Sequence, residues 1–491
     1  MAKKKQAPVP VRATLRTYCQ GIGDCHLLRF PKQGGGDFWI LIDCGIHTSI
    51  PGGPQTIERI VDDIATQTQH LDVIVGTHEH WDHISGFFTA REKFKQLTVG
   101  AVWLAWTENP DDEQARALDK YKGDGLQALQ ASQQRMSAPG FATTPYLEAV
   151  RTGVESLLQF NFGIKGERVR EARKALVDLA PNKNPRYLEP TTPPLSVTDL
   201  PNLRIFVLGP PRDAAMLGIR ERPDEQYGVA GVPLASALTS ALLSGTPGAE
   251  DSASPFDCET GESLPKMLRA PATNASDLVR VLRNHYSGPA QVVQVTDRKG
   301  QVRTLNSPDQ SWRRIDGDWL GVSAELALQM DNRTNNSSLV LAFELIDTGA
   351  VLLFAADAQA GNWLSWQNVS WKLGDQTVRG PDLLARTVFY KVGHHGSHNA
   401  TLTHKGLELM KSPDLAAFIP VKATDAQKVK WGNMPLPDLV TALQAATKGR
   451  LIRADDAWVG STETTPEFAV PSGCIAGLRH EQGLWVELDF R

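Results

Sequence analysis

The chain has few cysteines and no long apolar run, and each absence excludes a class of protein. Its 491 residues contain five cysteines, which are widely scattered and form no Cys-x-x-Cys pair. This usage argues against a disulfide framework and against a cysteine-based zinc site, and it favours a reducing compartment. Because no window approaches about 18 consecutive apolar residues, the sequence predicts no membrane-spanning helix. The cysteines are Cys19, Cys25, Cys44, Cys258 and Cys474.

Two further absences concern charge and targeting. The net charge is −4, so the overall composition requires no polyanionic partner. The first residues, MAKKKQAPVP, are basic and then proline-rich, without the apolar segment found in signal peptides. We therefore predict that residues 1–10 form a disordered tail and that the protein is cytoplasmic.

The regular segments of the chain predict an α/β fold. FWILIDCG (38–45) and HLDVIVGTH (70–78) have the composition of buried strands, and TIERIVDDIATQ (56–67) between them carries apolar residues at helical spacing. A strand, a helix and a strand at this spacing indicate a layered α/β fold. Similar strands return late in the chain, in AVLLFAAD (350–357) and TVFYKV (387–392).

Between the two strand-rich parts the composition changes. Residues 108–200 are rich in Ala, Gln, Lys and Glu at helical spacing, and residues 214–330 mix Gly, Pro, Ser and charges. We therefore predict one catalytic domain in two halves. The expected segments are a first half at 11–107, a helical insertion at 108–200, a core strand at 201–213, an irregular insertion at 214–330 and a second half at 331–491.

The densest group of chemically active side chains is the string His78, His80, Asp82 and His83, directly after a predicted strand. Residues two apart at the end of a strand point to one side, so His78 and His80 can share one ion. Asp82 and His83, in the turn that follows, can face a second ion. Imidazole with carboxylate suits Zn²⁺, Mn²⁺ or Fe and leaves room for water. A polar surface loop is the alternative, which a four-position match disfavours.

This string resembles the signature of the metallo-β-lactamase superfamily. Further stretches resemble, more narrowly, the hydrolase domain of the competence protein ComEC and its soluble relatives. The resemblance implies a metallo-β-lactamase-type αββα sandwich with a largely helical insertion. The stretches are QGIGDCHLL (20–28), LIDCG (41–45), NNSSLVLAFELIDTGAVLLFAADAQ (335–359), VGHHGSHNA (392–400) and LPDLVTALQAATKGRLIRAD (436–455).

The resemblance also implies a role for each residue of the string and of two later positions. His78 and His80 would hold a first ion, and Asp82 and His83 a second. Asp357 stands where the superfamily has a carboxylate that bridges both ions. Of the histidine pair in VGHHGSHNA, we assign His395 to the second ion and His394 to the phosphate or transition state.

Other residues of these motifs are expected to support the site. Ser397 and the backbone of Gly396 are candidates to donate hydrogen bonds to an anionic oxygen. His398 is either a further substrate-binding group or a loop histidine. Asp43 is expected to accept the N–H of a ligand histidine and fix its tautomer, the alternative being a turn-forming residue. Asp24 is assigned a structural role in the turn.

One position departs from the superfamily pattern. Many members supply another histidine to the first ion just before the strand pair that carries the bridging aspartate. Here that place reads DNRTNNSSL, with Asn335 and Asn336 but no histidine. The resemblance to ComEC-like proteins includes such asparagines, but the first ion is left short of a strong ligand. His285 is a candidate, with a solvent-facing helix end as the alternative.

The predicted chemistry is metal-assisted hydrolysis by two divalent ions, zinc or manganese. Such ions, about 3.5–4 Å apart, hold a bridging water as hydroxide, and a nearby histidine or Asp82 would protonate the leaving group. Our leading hypothesis is a phosphodiesterase, with a nuclease acting on DNA or RNA as one form of it. The alternatives are a hydrolase of carboxylic esters, lactones or β-lactams, and a non-catalytic regulatory module with a vestigial site.

Overall fold

The computed structural model describes most of the two predicted halves and part of the predicted insertions. The predicted tail up to residue 9, Cys258 and much of the predicted insertions lie outside the described residues. Cys19, Cys25, Cys44 and Cys474 are free thiols. The described residues are 10–137, 151, 154–155, 167–219, 222–225, 267, 276–286, 291–296, 300–307, 321–428 and 434–491.

The described strands follow the apolar runs of the sequence closely. The predicted strands at 38–45 and 70–78, for example, are found at Asp37–Cys44 and His70–Gly76. In chain order the strands are β1 (Ala13–Tyr18), β2 (Cys25–Pro31), β3 (Asp37–Cys44), β4 (His70–Gly76), β5 (Thr98–Ala105), β6 (Arg186–Leu188), β7 (Leu195–Val197), β8 (Leu200–Gly209), β9 (Gln291–Thr296), β10 (Val302–Ser307), β11 (Val340–Leu345), β12 (Ala350–Phe354), β13 (Ser370–Leu373), β14 (Gln376–Arg379), β15 (Thr387–Lys391), β16 (Ala416–Ile419), β17 (Leu451–Arg453), β18 (Ile475–Glu481) and β19 (Trp485–Phe490).

The described helices lie mostly between strands. None of them combines the length and the apolar character that crossing a lipid bilayer requires. They are α1 (Gly53–Gln67), α2 (Trp81–Thr89), α3 (Arg91–Phe94), α4 (Glu113–Met136), α5 (Glu167–Asp178), α6 (Ala214–Leu217), α7 (Asp277–His285), α8 (Gly321–Asn336), α9 (Ala360–Trp366), α10 (Gly380–Ala385), α11 (Ala423–Lys428) and α12 (Pro437–Ala446).

Two large sheets form the centre of the fold. One has eight strands in the order β18-β19-β1-β2-β3-β4-β5-β6, and the other has seven in the order β17-β16-β15-β12-β11-β8-β7. The strands β3, β4 and β5 are parallel, as are β12, β15 and β16. The carboxyl ends of neighbouring parallel strands meet at one edge of a sheet, and the predicted ligands follow such ends.

The main core is formed between the two sheets. Alternate residues of β2 and β3, such as Leu28 and Ile40, pack in the same buried cluster as Leu341 and Phe354 of the other sheet. Burial on this inner face explains why the central strands are so apolar in sequence, because both of their faces are covered.

Helices cover the outer face of each sheet. Ile57 and Ile64 of α1 and Phe87 of α2 pack in a cluster on the first sheet, and Trp363 of α9 and Leu443 of α12 pack in a cluster with residues of the second. The result is the αββα sandwich that the resemblance implied. The described residues thus confirm the predicted fold class.

The contacts divide the chain into two compact units. The first comprises residues 1–120, 159–232 and 331–491, and holds both large sheets. The second comprises residues 121–158 and 233–330, and its described part includes α7 and the β9–β10 hairpin. The predicted boundaries at 108, 200, 214 and 331 stay predictions.

Helix α5 packs against the first sheet. The sequence placed Glu167–Asp178 in the helical insertion, but the structure packs Val169, Ala172 and Leu176 in the outer cluster of the first sheet. An apolar stripe at helical spacing predicts that a helix is buried on one face, but it does not say which surface it covers.

Candidate metal centre

Four chain segments deliver the predicted ligands to one place in the first unit. The first is the turn after β4, which carries His78 and His80. The second is the opening turn of α2, which carries Asp82 and His83. Asp357 follows β12 and His395 follows β15, so the second sheet supplies the remaining two. All six side chains are at most 2% exposed.

The six residues form two overlapping groups of possible metal ligands. The first group is His78, His80 and Asp357, and the second is Asp82, His83, Asp357 and His395. Within each group the candidate ligand atoms all lie within 4.8 Å of one another. Asp357 belongs to both groups, which is the arrangement that a bridging carboxylate requires.

Unusual backbone angles help to bring these side chains together. Asp43, Ala356, His394 and His395 have φ values of 56°, 48°, 40° and 55°, in the left-handed region that residues other than glycine rarely adopt. Each of the four lies at or just after the end of a strand. Strain of this kind persists only where surrounding contacts fix it, and it concentrates at functional sites.

Asp43 connects the first sheet to two of the histidines. Its Oδ2 lies 2.8 Å from His83 Nδ1 and accepts the hydroxyl of Thr77 at 2.7 Å, while Oδ1 accepts the Thr77 backbone N–H at 2.8 Å. A carboxylate only accepts, so the proton on His83 is at Nδ1. When His83 loses its second proton, the lone pair is therefore at Nε2, as a metal ligand requires.

The tautomer of His78 follows from its contact with Thr77. The single hydroxyl proton of Thr77 is donated to Asp43, so the contact of 3.1 Å between Thr77 Oγ1 and His78 Nδ1 has the histidine as donor. The lone pair of His78 is then at Nε2. Asp43 thus orients two imidazoles, one directly and one through Thr77.

A buried lysine lies next to the carboxylates of Asp24 and Asp357. Lys391, at the end of β15, is fully buried; its ammonium pairs with Asp24, lies 3.6 Å from Asp357 Oδ1 and donates to the Ala356 carbonyl at 2.9 Å. Burial alone would lower the pKa of Lys391, but Asp24 and Asp357 raise it by more, so the net pKa is raised. The lysine therefore remains a cation and offsets part of the negative charge of the site.

The protonation of the histidines differs between the two groups. Burial lowers the pKa of His78, and lowers that of His80 to about 3, so both rings are neutral. Burial opposes the charged form of His83 and His395 as well, but Asp357 and the neighbouring carboxylates raise the pKa of His83 and raise that of His395 to about 9. In the metal-free protein, the imidazoles of His83 and His395 are therefore protonated.

The donor set fits a pair of divalent ions. His78 Nε2 and Asp82 Oδ1 are buried and have no hydrogen-bond partner among the described residues. Buried polar atoms are normally satisfied, so atoms of this kind among the candidate ligands are consistent with a bound ion. Nitrogen and carboxylate donors without any thiolate suit Zn²⁺, Mn²⁺ or Fe.

The loop that carries the histidine pair presents a second histidine. His394 is partly exposed, with its Nδ1 2.7 Å from Ser397 Oγ and 3.3 Å from Gln359 Nε2. Ser397 donates in turn to Asn399 Oδ1 at 2.9 Å. Of the predicted substrate-binding residues, Gly396 and Ser397 are buried in this loop and His398 is partly exposed. The structure thus separates the buried His395 from the more accessible His394.

Three residues near the centre had no predicted role there. His47 is buried, and its pKa is lowered to about 4 by burial, with Asp82 and His395 as its charged neighbours. Lys391 and Asp331 also lie beside the ligands. A charged residue ending the apolar run TVFYK was a usable signal for Lys391, whereas nothing in the local sequence distinguishes His47. His285, the candidate extra ligand, is exposed at the end of α7 in the second unit.

Comparison with known proteins agrees with the architecture. The family model described as Metallo-beta-lactamase superfamily matches residues 20–153, which contain the string from His78 to His83. No match was found among the curated proteins. The αββα sandwich agrees with this match, and the members of the matched superfamily are mostly metal-dependent hydrolases.

Proposed function

We propose that this protein is a metal-dependent phosphodiesterase of the ComEC-like type, with DNA or RNA among its candidate substrates. The observation that carries the proposal is the shared carboxylate Asp357, which belongs to both groups of buried ligands. In this proposal His78 and His80 hold one ion, and Asp82, His83 and His395 hold the other.

Two such ions, when bound, supply an activated water at neutral pH and neutralise charge on the oxygens of the reacting group. The protein's own residues orient the ligands and exclude bulk water. Burial alone would raise the pKa of Asp82, but His83 and His395 lower it by more, so the net pKa is lowered. Asp82 is therefore a carboxylate at neutral pH. This favours Asp82 as a ligand and proton acceptor over the role of general acid that the sequence also suggested.

His394 is the best candidate to contact the substrate. Its pKa is lowered to about 4 by burial, so the ring is neutral at pH 7 and acts through hydrogen bonds. Ser397, 2.7 Å from its Nδ1, holds the ring in place. A histidine and loop hydroxyl beside a dinuclear centre suit the anionic oxygens of a phosphodiester, and the VGHHGSHNA motif supports the ComEC-like subtype.

A substrate panel tests this proposal. We would measure hydrolysis of bis(p-nitrophenyl) phosphate, linear single-stranded DNA, double-stranded DNA and RNA in Mn²⁺ and in Zn²⁺, beside p-nitrophenyl acetate and a β-lactam. The expected result is metal-dependent cleavage of phosphodiesters, with turnover lost in Asp82→Ala.

The panel also separates the alternatives. Faster turnover of the acetate ester or the β-lactam would replace the phosphodiesterase with a carboxylic ester or lactam hydrolase. Equal turnover by Asp82→Ala would mean that the activity does not depend on this ligand and would overturn the proposal. A loss of phosphodiester turnover in His394→Ala with unchanged metal content would support the contact of His394 with substrate.

A further inference from the structure

The two groups of candidate ligands differ in the number of side chains they contain. The group around the second ion has four side chains, whereas the group around the first has three, His78, His80 and Asp357. The segment in which many superfamily members place a further histidine reads DNRTNNSSL here. A donor for the first ion must therefore come from another residue type or from water.

Asp331 lies beside this smaller group. It is the first residue of that segment, it lies in the C-terminal part of α8 within the first unit, and it is 7% exposed. Its Oδ1 is 3.9 Å from His80 Nε2. Two ligand atoms that each bind one ion at about 2.1 Å lie roughly 3–4 Å apart, depending on the angle at the metal, so the distance to His80 fits a shared ion. Asp331 is not in the group of ligand atoms that all lie within 4.8 Å of one another, so its side chain would have to approach His78 and Asp357 when the ion binds.

The other oxygen of Asp331 is held in place. Asn335, one helical turn later on the same face of α8, donates from Nδ2 to Asp331 Oδ2 at 3.2 Å. The same Nδ2 lies 3.3 Å from Nε2 of His394. A carboxylate with one oxygen hydrogen-bonded and the other directed at a histidine ligand has the usual arrangement of a metal-binding aspartate.

The end of α8 is itself anchored, so the position of Asp331 is defined. Asn336 donates to the Leu217 and Ile219 carbonyls at 3.2 and 2.8 Å, and its Oδ1 accepts the Asn362 backbone N–H at 3.1 Å. Directly afterwards, Leu339 N–H donates to the Thr77 carbonyl at 2.9 Å, next to His78. Asn336 thus holds the end of α8, and the Leu339 backbone connects the residues after it to the strand end that carries the first candidate ligands.

We propose that Asp331 is the fourth protein ligand of the ion held by His78, His80 and Asp357, with Asn335 as its positioning residue. This inference rests on the metal centre of the proposed function and extends it. Replacing a neutral imidazole by a carboxylate adds one negative charge and a hard oxygen donor. Such a site favours Mn²⁺ relative to Zn²⁺ more than a three-histidine site does.

Calorimetric titration of the chelator-treated protein with Mn²⁺ tests the inference without any assay of activity. We expect two ions in the wild type, and we expect Asp331→Asn to weaken the same ion that His78→Ala weakens, on the order of 10- to 100-fold. Asparagine keeps the shape and can still accept the hydrogen bond from Asn335. Asp375→Asn, an exposed residue between β13 and β14, is the matched control and should bind as the wild type does.

The possible failures are distinguishable. Two ions in the wild type with unchanged affinity in Asp331→Asn would overturn the role of Asp331 and leave the proposed function intact. A wild type that binds no ion would overturn the metal centre itself. If Asp331→Asn does not fold, Asp331→His is used instead. It should raise the affinity for Zn²⁺ relative to Mn²⁺ at least tenfold, and an unchanged ratio would overturn the inference.

Discussion

Asp43 shows most clearly how a single residue organises the candidate centre. Its two oxygens take the Thr77 backbone and hydroxyl protons and the Nδ1 proton of His83, and through Thr77 they also fix His78. One carboxylate thereby orients a ligand from each of the two groups. Contacts of this kind commonly matter nearly as much as the ligands themselves.

Asp43→Asn should lower metal affinity on the order of 10- to 100-fold while preserving the fold. The amide has the same shape, and asparagine tolerates the left-handed φ of 56° at this position. Asparagine has one accepting oxygen, and its NH2 group donates, so at least one of the three hydrogen bonds of Asp43 is lost. Metal titration with circular dichroism as the folding control measures the effect, and wild-type affinity in the variant would remove Asp43 from the centre.

Some residues of the candidate centre could be predicted from the sequence, and others could not. The string from His78 to His83 could be assigned because its spacing brings its members together within one strand end and one helical turn. Asp357 and His395 needed the resemblance, because only the fold brings positions so far apart in sequence into contact. Lys391 was not assigned, although a charged residue that ends an apolar run was a usable signal. Asp331 was not assigned because its contacts depend on the fold.

At the scale of elements, the turn after β3 and the start of α2 are packed in direct contact. A Cβ added at Gly45 would lie 2.1 Å from the carbonyl carbon of Asp82 and 2.3 Å from the backbone nitrogen of His83. No side chain fits in this space. The glycine that ends LIDCG therefore lets the peptide that carries two ligands approach the sheet.

Gly45→Ala should displace Asp82 and His83 and weaken the second ion more than the first. We expect a loss of unfolding free energy of about 1–3 kcal/mol from overpacking, measured by chemical denaturation with and without Mn²⁺. Gly34→Ala is the matched control, since nothing lies within 4 Å of its added Cβ. Equal stability and equal metal affinity in the two variants would contradict this account of the turn.

The elements follow from the sequence more directly than their grouping does. Strands such as β4 and helices such as α1 follow from local periodicity, which the sequence carries directly. The position of α5 on the first sheet depends on which surface is available, and its apolar stripe does not specify that. Residues far apart in sequence also share the second unit, and the chain carries no local signal for that pairing.

For the molecule as a whole, the protons at the second group link stability to pH and to metal. The pKa of His395 is raised to about 9, because Asp357 and Asp82 outweigh the opposing effect of burial. Its unfolded value is about 6.5. The stabilisation from this proton is therefore complete below pH 6.5 and lost as the pH rises through about 9. The lowered pKa values of His78 and His80 reduce stability only below pH 6.5, where these rings are protonated in the unfolded chain but not in the folded one.

The melting temperature of the metal-free protein should therefore fall between about pH 6.5 and 9, whereas the stabilisation by added Mn²⁺ should grow over the same window. At 100 times the dissociation constant, one bound ion adds about 2.7 kcal/mol. Thermal denaturation across this pH range, with chelator or with Mn²⁺, measures both trends. A metal-induced stabilisation that does not change with pH would contradict the protonated state of His395 and His83.

We propose that a dinuclear centre sharing Asp357 hydrolyses phosphodiesters. Turnover of bis(p-nitrophenyl) phosphate as a function of Mn²⁺ concentration tests this most directly. We predict no turnover in chelator-treated protein, recovery as two ions bind, and none at any Mn²⁺ concentration in a folded Asp357→Ala variant. Turnover by the chelator-treated protein, or by Asp357→Ala, at the wild-type rate would contradict the claim.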